Sequence, residues 1–467
     1  MSDTRSERFS ADFWLYFTGQ SISALGSAFT AFAMPLLVFK LTGSALDLGV
    51  SMAISIMPYL LFGFVAGAIV DRVDRRKLMV GIDLVRGVLL IVLPVLQAFG
   101  ALHLIWIYVV AFVGTTLQIP FDAGRFAGTA HLVLKDQLTT ANGRLEASFS
   151  AARVVGPVLA GVAVMAMPVA DLLIIDAVTF VASAVLLSLI RVSFNGDRPA
   201  DDTPASVGDT LRALRADVYE GLAYIWRDPV LRSISIVMAV VNLFTSTTLA
   251  QLVLYAKSRL SASDDQVSLL YAASALGVML LSLAAGPLRR RFRLGVILVA
   301  TLALDGMTVI GLGMTSMYSV ALVLWALNSG VSVLFNINTM TLRQQTVPDR
   351  MLGRVMTVSA VVAWSVIPIG VIAGGALVSR LGGIAPVFVM IGVVTVLAAV
   401  IGAFSPLGSA QAPAVDATAS VKPSRVDAPV AIAETALAPA GPVQDRPTPS
   451  PAPGVGRPAN ATREVDA

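Results

Sequence analysis

The sequence predicts an all-α membrane protein with twelve transmembrane helices in two pseudo-symmetric six-helix bundles. Three observations predict it. Of 467 residues, 56% are hydrophobic and only 13% charged, with a mean hydropathy of +0.80. Soluble domains carry about 25% charged residues, so this chain cannot cover itself with a water-facing surface, and lipid is its expected solvent. Apolar runs of about 20 residues, long enough to cross a bilayer, recur twelve times. Lys and Arg then fall almost wholly on alternate connections, 23 on one side against four on the other.

The expected spans are 14–39, 46–70, 78–98, 104–123, 147–168, 171–190, 232–255, 267–288, 294–316, 318–340, 355–379 and 384–404. Prolines inside them (Pro35, Pro58, Pro94, Pro157, Pro368) are tolerable in lipid, where neighbouring helices and water satisfy the freed backbone groups. The run 318–340 weakens at Asn336 and Asn338, but losing it would scramble the basic asymmetry. The basic excess sits at Arg5 and Arg8, in the 71–77 loop, and in segments 124–153, 191–232, 289–293 and 343–354. Opposite lie Lys40, Lys257, Arg259 and Arg380. The positive-inside rule makes both termini and the central segment cytoplasmic, in a multi-pass protein of the cell (inner or plasma) membrane.

Five regions follow. Residues 1–12 are a polar cytoplasmic N-terminus, with no cleavable signal expected. Residues 13–191 form the N-terminal bundle. Residues 192–231 form a cytoplasmic linker, with an amphipathic helix over 209–227 lying along the membrane face. Residues 232–404 form the C-terminal bundle. Residues 405–467 are rich in Ala, Pro, Val, Ser and Thr without one aromatic, and are expected to form a disordered cytoplasmic tail.

Composition also narrows function. There is no cysteine, so disulfides and thiolate chemistry are excluded, and the two histidines (His103, His131) lie far apart. No metal and no cofactor are expected. The net charge of +4 is modest and spread out, which reads as orientation and not as nucleic-acid binding. No nucleophile, base or metal constellation points to an enzyme.

The two halves repeat. Gly67-Ala-Ile-Val-Asp71-Arg72 ends the second span and Gly286-Pro-Leu-Arg289-Arg290-Arg291 the eighth. Asp83 lies early in the third span, and Asp305 falls 222 residues later in the ninth. Asn142-Gly143-Arg144 with Gly156-Pro157 and Gly161 recurs as Leu352-Gly353-Arg354 with Pro368 and Gly374-Gly375. Duplicated halves are how many transporters place a cavity at the bilayer midplane.

Residues 67–77 read Gly67-Ala-Ile-Val-Asp71-Arg72-Val-Asp-Arg75-Arg76-Lys77. Gly67 allows close helix approach, Asp71 can meet a helix N-terminus or an arginine, and the bases hold the loop at the headgroups. An ordinary positive-inside loop accounts for the bases as well. The stretch resembles the motif between the second and third helices of the major facilitator superfamily. Further stretches resemble the branch containing the enterobactin exporter and the macrolide efflux proteins. They are Leu25-Gly26, Leu41 to Leu46 with Leu48-Gly49, Asp83-Leu-Val-Arg86, Asn142 to Gly161, and Asp176-Ala-Val-Thr179-Phe180. The resemblance covers roughly 13–404 and is silent on substrate. The fourth span departs from it: the mid-helix arginine of proton-coupled drug antiporters is missing, and Arg125 lies at the cytoplasmic end instead.

The resemblance implies that the first, fourth, seventh and tenth helices line a cavity. Their polar residues include Gln20, Ser23, Thr115, Gln118, Asn242, Thr245, Gln251, Asn328 and Asn336, with Trp325 and Trp364 among the aromatic walls. Each alone reads equally as an interhelical hydrogen bond. As a set they suit a bulky, moderately apolar solute. No arginine or lysine is embedded in these four helices to grip a phosphate. Gly67, Asp71, Arg72, Arg75 and Arg76 are the gating motif. Asp83 with Arg86, and Asp122 with Arg125, are spaced as ion pairs on one helix face. Asp305, mid-span with no cation in reach along the chain, is the candidate proton carrier.

The function expected from the resemblance is export of an amphiphilic small molecule, drug-like or a siderophore, by alternating access in proton antiport, by a monomer. Its partners are the small-molecule substrate, protons and the bilayer, with no nucleic acid. Import or facilitated passage of a small neutral metabolite, and a non-transporting sensor or scaffold, are the alternatives.

Overall fold

The computed structural model describes residues 9–70, 73–134, 137–195 and 219–407, the side chains of 64–69, 127, 139, 349–350, 352–354 and 357 excepted. The N-terminal half holds α1 (Ala11–Thr42), α2 (Ala45–Val70), α3 (Arg75–Ala98), α4 (Leu104–Leu132), α5 (Leu138–Ala163) and α6 (Leu172–Leu189). Of α7, residues 219–227 are described, and they are helical. The expected helix over 209–227 lies otherwise outside the described residues, as do the tail beyond 407, Asp71 and Arg72. The second half holds α8 (Pro229–Ala250), α9 (Leu252–Ser258), α10 (Asp264–Arg291), α11 (Leu294–Met314) and α12 (Tyr318–Thr346). It ends with α13 (Asp349–Ser365), α14 (Ile367–Arg380) and α15 (Ile384–Phe404). Among the described residues, twelve helical spans are long and apolar enough to cross a membrane. An even number of crossings puts the outer ends of the first and last spans on one face, here the terminal face; the other is the far face.

Local chemistry sets the helix ends. Ser10 caps α1 by accepting from the Phe13 amide at 3.2 Å. The helix stops at Gly43, whose φ of 60° is left-handed and whose N–H reaches the Phe39 carbonyl at 2.7 Å. Asp74 caps α3, and Ser263 with Gln266 forms a reciprocal capping box on α10.

Several spans differ from expectation, the fourth running nine residues past 123 to Leu132. The fifth begins nine residues earlier than 147, because its polar first turns, 138–146, continue the helix. The seventh, expected unbroken over 232–255, stops at Ala250; Gln251 breaks it and α9 follows. The eleventh breaks at Val366, since Pro368 has no N–H to give and is placed in the first turn of α14. The tenth runs on to Thr346, through the asparagines that weaken the sequence signal. Asn338 donates from its side-chain nitrogen to the Leu334 carbonyl of its own helix at 2.7 Å, and its buried Oδ1 has no hydrogen-bond partner among the described residues.

Within each half, helices meet at small residues, as expected where lipid removes the hydrophobic drive to associate. Gly306 of α11 and Gly392 of α15 each lie against the other's carbonyl. Between the halves the arrangement is lopsided. One large buried cluster joins Phe32 and Leu36 of α1 to Val253 and Tyr255 of α9, Leu270 of α10 and Phe388 of α15. Towards the terminal face the clusters separate. Tyr16, Met79, Phe121 and Phe194 belong to the first half alone, and Ile234, Leu298 and Phe335 to the second.

The far-face join is close. α2 packs along α14 and α5 along α10. A Cβ at Gly49 would strike the Val371 carbonyl, and one at Gly375 the Ala45 carbonyl. Lys40 of α1 is ion-paired with Asp264 of α10, which also holds Lys257 of α9 at 2.6 Å.

Candidate functional site

Below this join lies a cavity of about 460 Å³. Its wall is mainly apolar and comes from α1 to α4 and α6, with Leu249, Ala250 and Tyr271 closing it from the second half. Its polar groups are Thr30, Ser51, Ser55, Tyr59, Arg86, Thr115, Gln118 and Asp176. The volume falls in the range of small-molecule sites, about 300–1,000 Å³.

Arg86 is the charged centre. It comes from α3, which packs on α6, so its guanidinium lies 4.1 Å over the ring of Phe180. Among the described residues it makes no ion pair. Asp176, Asp83 and Asp122 are its charged neighbours, Asp176 foremost. Asp176 is buried, and its carboxyl oxygens are taken by hydroxyls: Thr30 donates at 2.5 Å and Thr179 at 3.2 Å. Gly26 of α1 makes room for this cluster, for a Cβ there would collide with Thr179.

The two carboxylate–arginine spacings have different outcomes. Asp122 and Arg125 meet at 3.2 Å. Gln118 donates to the same Asp122 oxygen at 2.7 Å, and Arg125 also lies over the Phe149 ring at 4.7 Å. Asp83 and Arg86 do not meet as an ion pair. Asp83 is fully buried with the Ser183 hydroxyl as its polar neighbour, and among the described residues neither carboxyl oxygen makes a hydrogen bond of full geometry.

Asp305 is not isolated, contrary to the sequence reading. It accepts from Asn328 at 3.0 Å and from Ser332, both on α12, and so clasps α11 to α12. Asn328 also reaches the Thr308 hydroxyl at 3.0 Å. Neither Asp305 nor Asn328 lines the cavity. Among the described residues, the buried carboxylate with neither oxygen hydrogen-bonded is its repeat counterpart, Asp83.

Of the expected wall residues, Thr115 and Gln118 line the cavity. Gln251 does not: it is fully buried in the far-face join, where its amide donates to the Ala45 carbonyl at 2.7 Å. Asn242 bonds the Ala363 carbonyl at 2.9 Å, and Thr245 the Val241 carbonyl of its own helix. Gln20 and Ser23 are buried in α1, and Trp325 is buried in the core. Asn336 is exposed and Trp364 half-buried, both away from the cavity. The walls on α3 and α6 were missed. The Asp83–Arg86 spacing and the Asp176–Phe180 stretch were visible signals, but only the packing of α3 on α6 turns Arg86 and Asp176 towards the same space.

In the motif after α2, Arg75 and Arg76 bind protein, while Lys77 is exposed beside Asp74. The Arg75 amide meets Asn195 Oδ1 at 3.0 Å, its guanidinium meets the Phe194 carbonyl at 3.1 Å, and Arg76 meets the Ile190 carbonyl. Arg76 thus meets the carbonyl at the end of α6, and Arg75 the segment that follows it. Gly67 lies in α2, its surroundings outside the described residues.

Two six-helix halves joined at one face, separate at the other and sharing a closed-topped cavity define a membrane transporter. The chain belongs to the Major Facilitator Superfamily, whose family model matches residues 16–369 and 234–438. It is similar to macrolide efflux protein A of Streptococcus pyogenes, 24% identical over 79% of this chain and 90% of the relative. It is also similar to the multidrug efflux pump Tap of Mycolicibacterium fortuitum, 28% identical over 45% of this chain and 51% of Tap. Among solved structures, the nucleoside transporter NupG aligns with a TM-score of 0.66 at 11% identity, over 84% of this chain and 98% of that one. The family match makes the chain a membrane transporter and not an enzyme, and the two efflux proteins are relatives it resembles within that family.

Proposed function

We propose that the protein exports a drug-sized amphiphile by alternating access, in exchange for protons, with both termini in the cytoplasm. The observation that carries this is the cavity shared by both halves and sealed at the far face alone. With the basic-rich terminal face inward, that is the state that loads cargo from the cytoplasm. The names of the two relatives support export, and macrolides are the cargo to try first. Asp83 is the proton carrier: it adjoins Arg86, and a proton on it removes the cost of a bare charge in an apolar interior. The Asp305 clasp is structural.

Cells overproducing the protein should accumulate less erythromycin than controls, and an uncoupler should abolish the difference. Greater accumulation would make the protein an importer. An unchanged difference with uncoupler would make it a facilitator.

A further inference from the structure

We propose that Arg86 is the residue that recognises the cargo's headgroup, and that the cargo class is an anionic amphiphile: an apolar body bearing one compact oxyanion such as a carboxylate. This rests on the export reading above and departs from its first trial cargo: a cationic macrolide is bound less tightly than an anion of like bulk. An arginine placed at an apolar cavity wall is costly unless its N–H groups find acceptors. Among the described residues Arg86 has Phe180 beneath it and no hydrogen-bond acceptor. The Phe180 ring holds the guanidinium at the wall by its face, and the N–H groups, unbonded among the described residues, suit a two-pronged contact with an oxyanion.

The rest of the wall points the same way. Tyr59 and Tyr271 line the cavity with hydroxyls that bond to nothing else among the described residues. The wall's carboxylate, in contrast, is engaged: Asp176 has one oxygen bonded by Thr30 and the other by Thr179. Beside it stand hydroxyls and the Gln118 amide, which can give or take a hydrogen bond. The one full charge the wall leaves without a hydrogen bond among the described residues is therefore that of Arg86. A cationic amine would find no free carboxylate oxygen in the wall and would face the charge of Arg86. The neighbouring carboxylates Asp176, Asp83 and Asp122 offset that charge without hydrogen-bonding its N–H groups among the described residues.

The test is equilibrium binding to the purified full-length protein of three probes: cholate, its neutral methyl ester and cationic erythromycin. Cholate should bind about tenfold tighter than the ester, as expected of a charge-assisted contact (~1.4 kcal/mol). Arg86→Gln should erase that preference while ester binding persists, and Arg86→Lys should keep part of it. If Arg86→Gln does not fold, Phe180→Leu serves instead: it leaves the charge in place, removes the platform and should reduce the preference about threefold. Equal binding, a preference for the ester or erythromycin, no binding of cholate at millimolar concentration, or an unchanged preference in the variant that folds would each overturn the proposal. Efflux of erythromycin without a cholate preference would sink this assignment and leave export standing. A cholate preference without any efflux would do the reverse.

Discussion

The side-chain amide of Gln251 donates to the main-chain carbonyl of Ala45 across the two halves, 2.7 Å apart and shielded from solvent. The bond exists because α8 stops at Gln251, which frees that residue to turn towards the start of α2. Around it the join is made of backbone: Gly49 against Val371 and Gly375 against Ala45.

A bulky residue in this join should hold it open. Gly49→Leu would drive a side chain into the Val371 carbonyl and disfavour the closed far face by at least ~1.4 kcal/mol, about tenfold in population. Efflux should fall by a similar factor. Because the chain has no cysteine, a single cysteine at Ser51 in the cavity wall reports access directly. Its labelling by a membrane-impermeant maleimide from outside should rise in Gly49→Leu. Unchanged labelling would show that the join is not a gate.

The two repeat-related carboxylates should behave differently. Asp83→Asn should abolish the uncoupler-sensitive part of efflux while sparing exchange of cargo at zero gradient. Asp305→Asn should leave the uncoupler response intact. The opposite result would return the proton to Asp305.

Asp305→Ala tests the clasp. It removes the bonds from Asn328 and Ser332 and should destabilise the purified protein by about 2 kcal/mol, the scale of hydrogen bonds to a charged group. The midpoint of thermal unfolding should drop. No change would mean that α11 and α12 hold without it.

Topology can be checked from both faces. Ser261, exposed in the turn between α9 and α10, should accept an impermeant label from outside when changed to cysteine. Reporters fused after Arg198 and Ser409 should be active only as cytoplasmic reporters. An external signal at either fusion contradicts the orientation proposed from the basic residues.

The spans were legible because lipid demands long apolar runs, a constraint that composition displays directly. Their interruptions were partly legible. Pro368 marks the break before α14, whereas nothing in Leu249-Ala250-Gln251 announces one. Side-chain partners were the least legible. Asp83–Arg86 and Asp122–Arg125 share one spacing, yet only the second closes as an ion pair. Spacing fixes which residues share a helix face. It does not say that α6 will present Phe180 to Arg86. Asp305 looked bare along its own helix, because its partners, Asn328 and Ser332, lie 23 and 27 residues away on the next.

Asp264 stands between two lysines of different allegiance. Lys257 lies on its own half of the molecule, and Lys40 on the other. Parting the far face would take Lys40 away but leave the carboxylate in company. The acid is handed from two partners to one and never stranded, and the departing lysine, already 45% exposed, moves into water. Such a contact adds to closure without exacting the heavy toll of separating an isolated buried pair. Salt should therefore loosen this face only gently, and the hold on the closed state rests more on the fit of backbone to backbone than on charge.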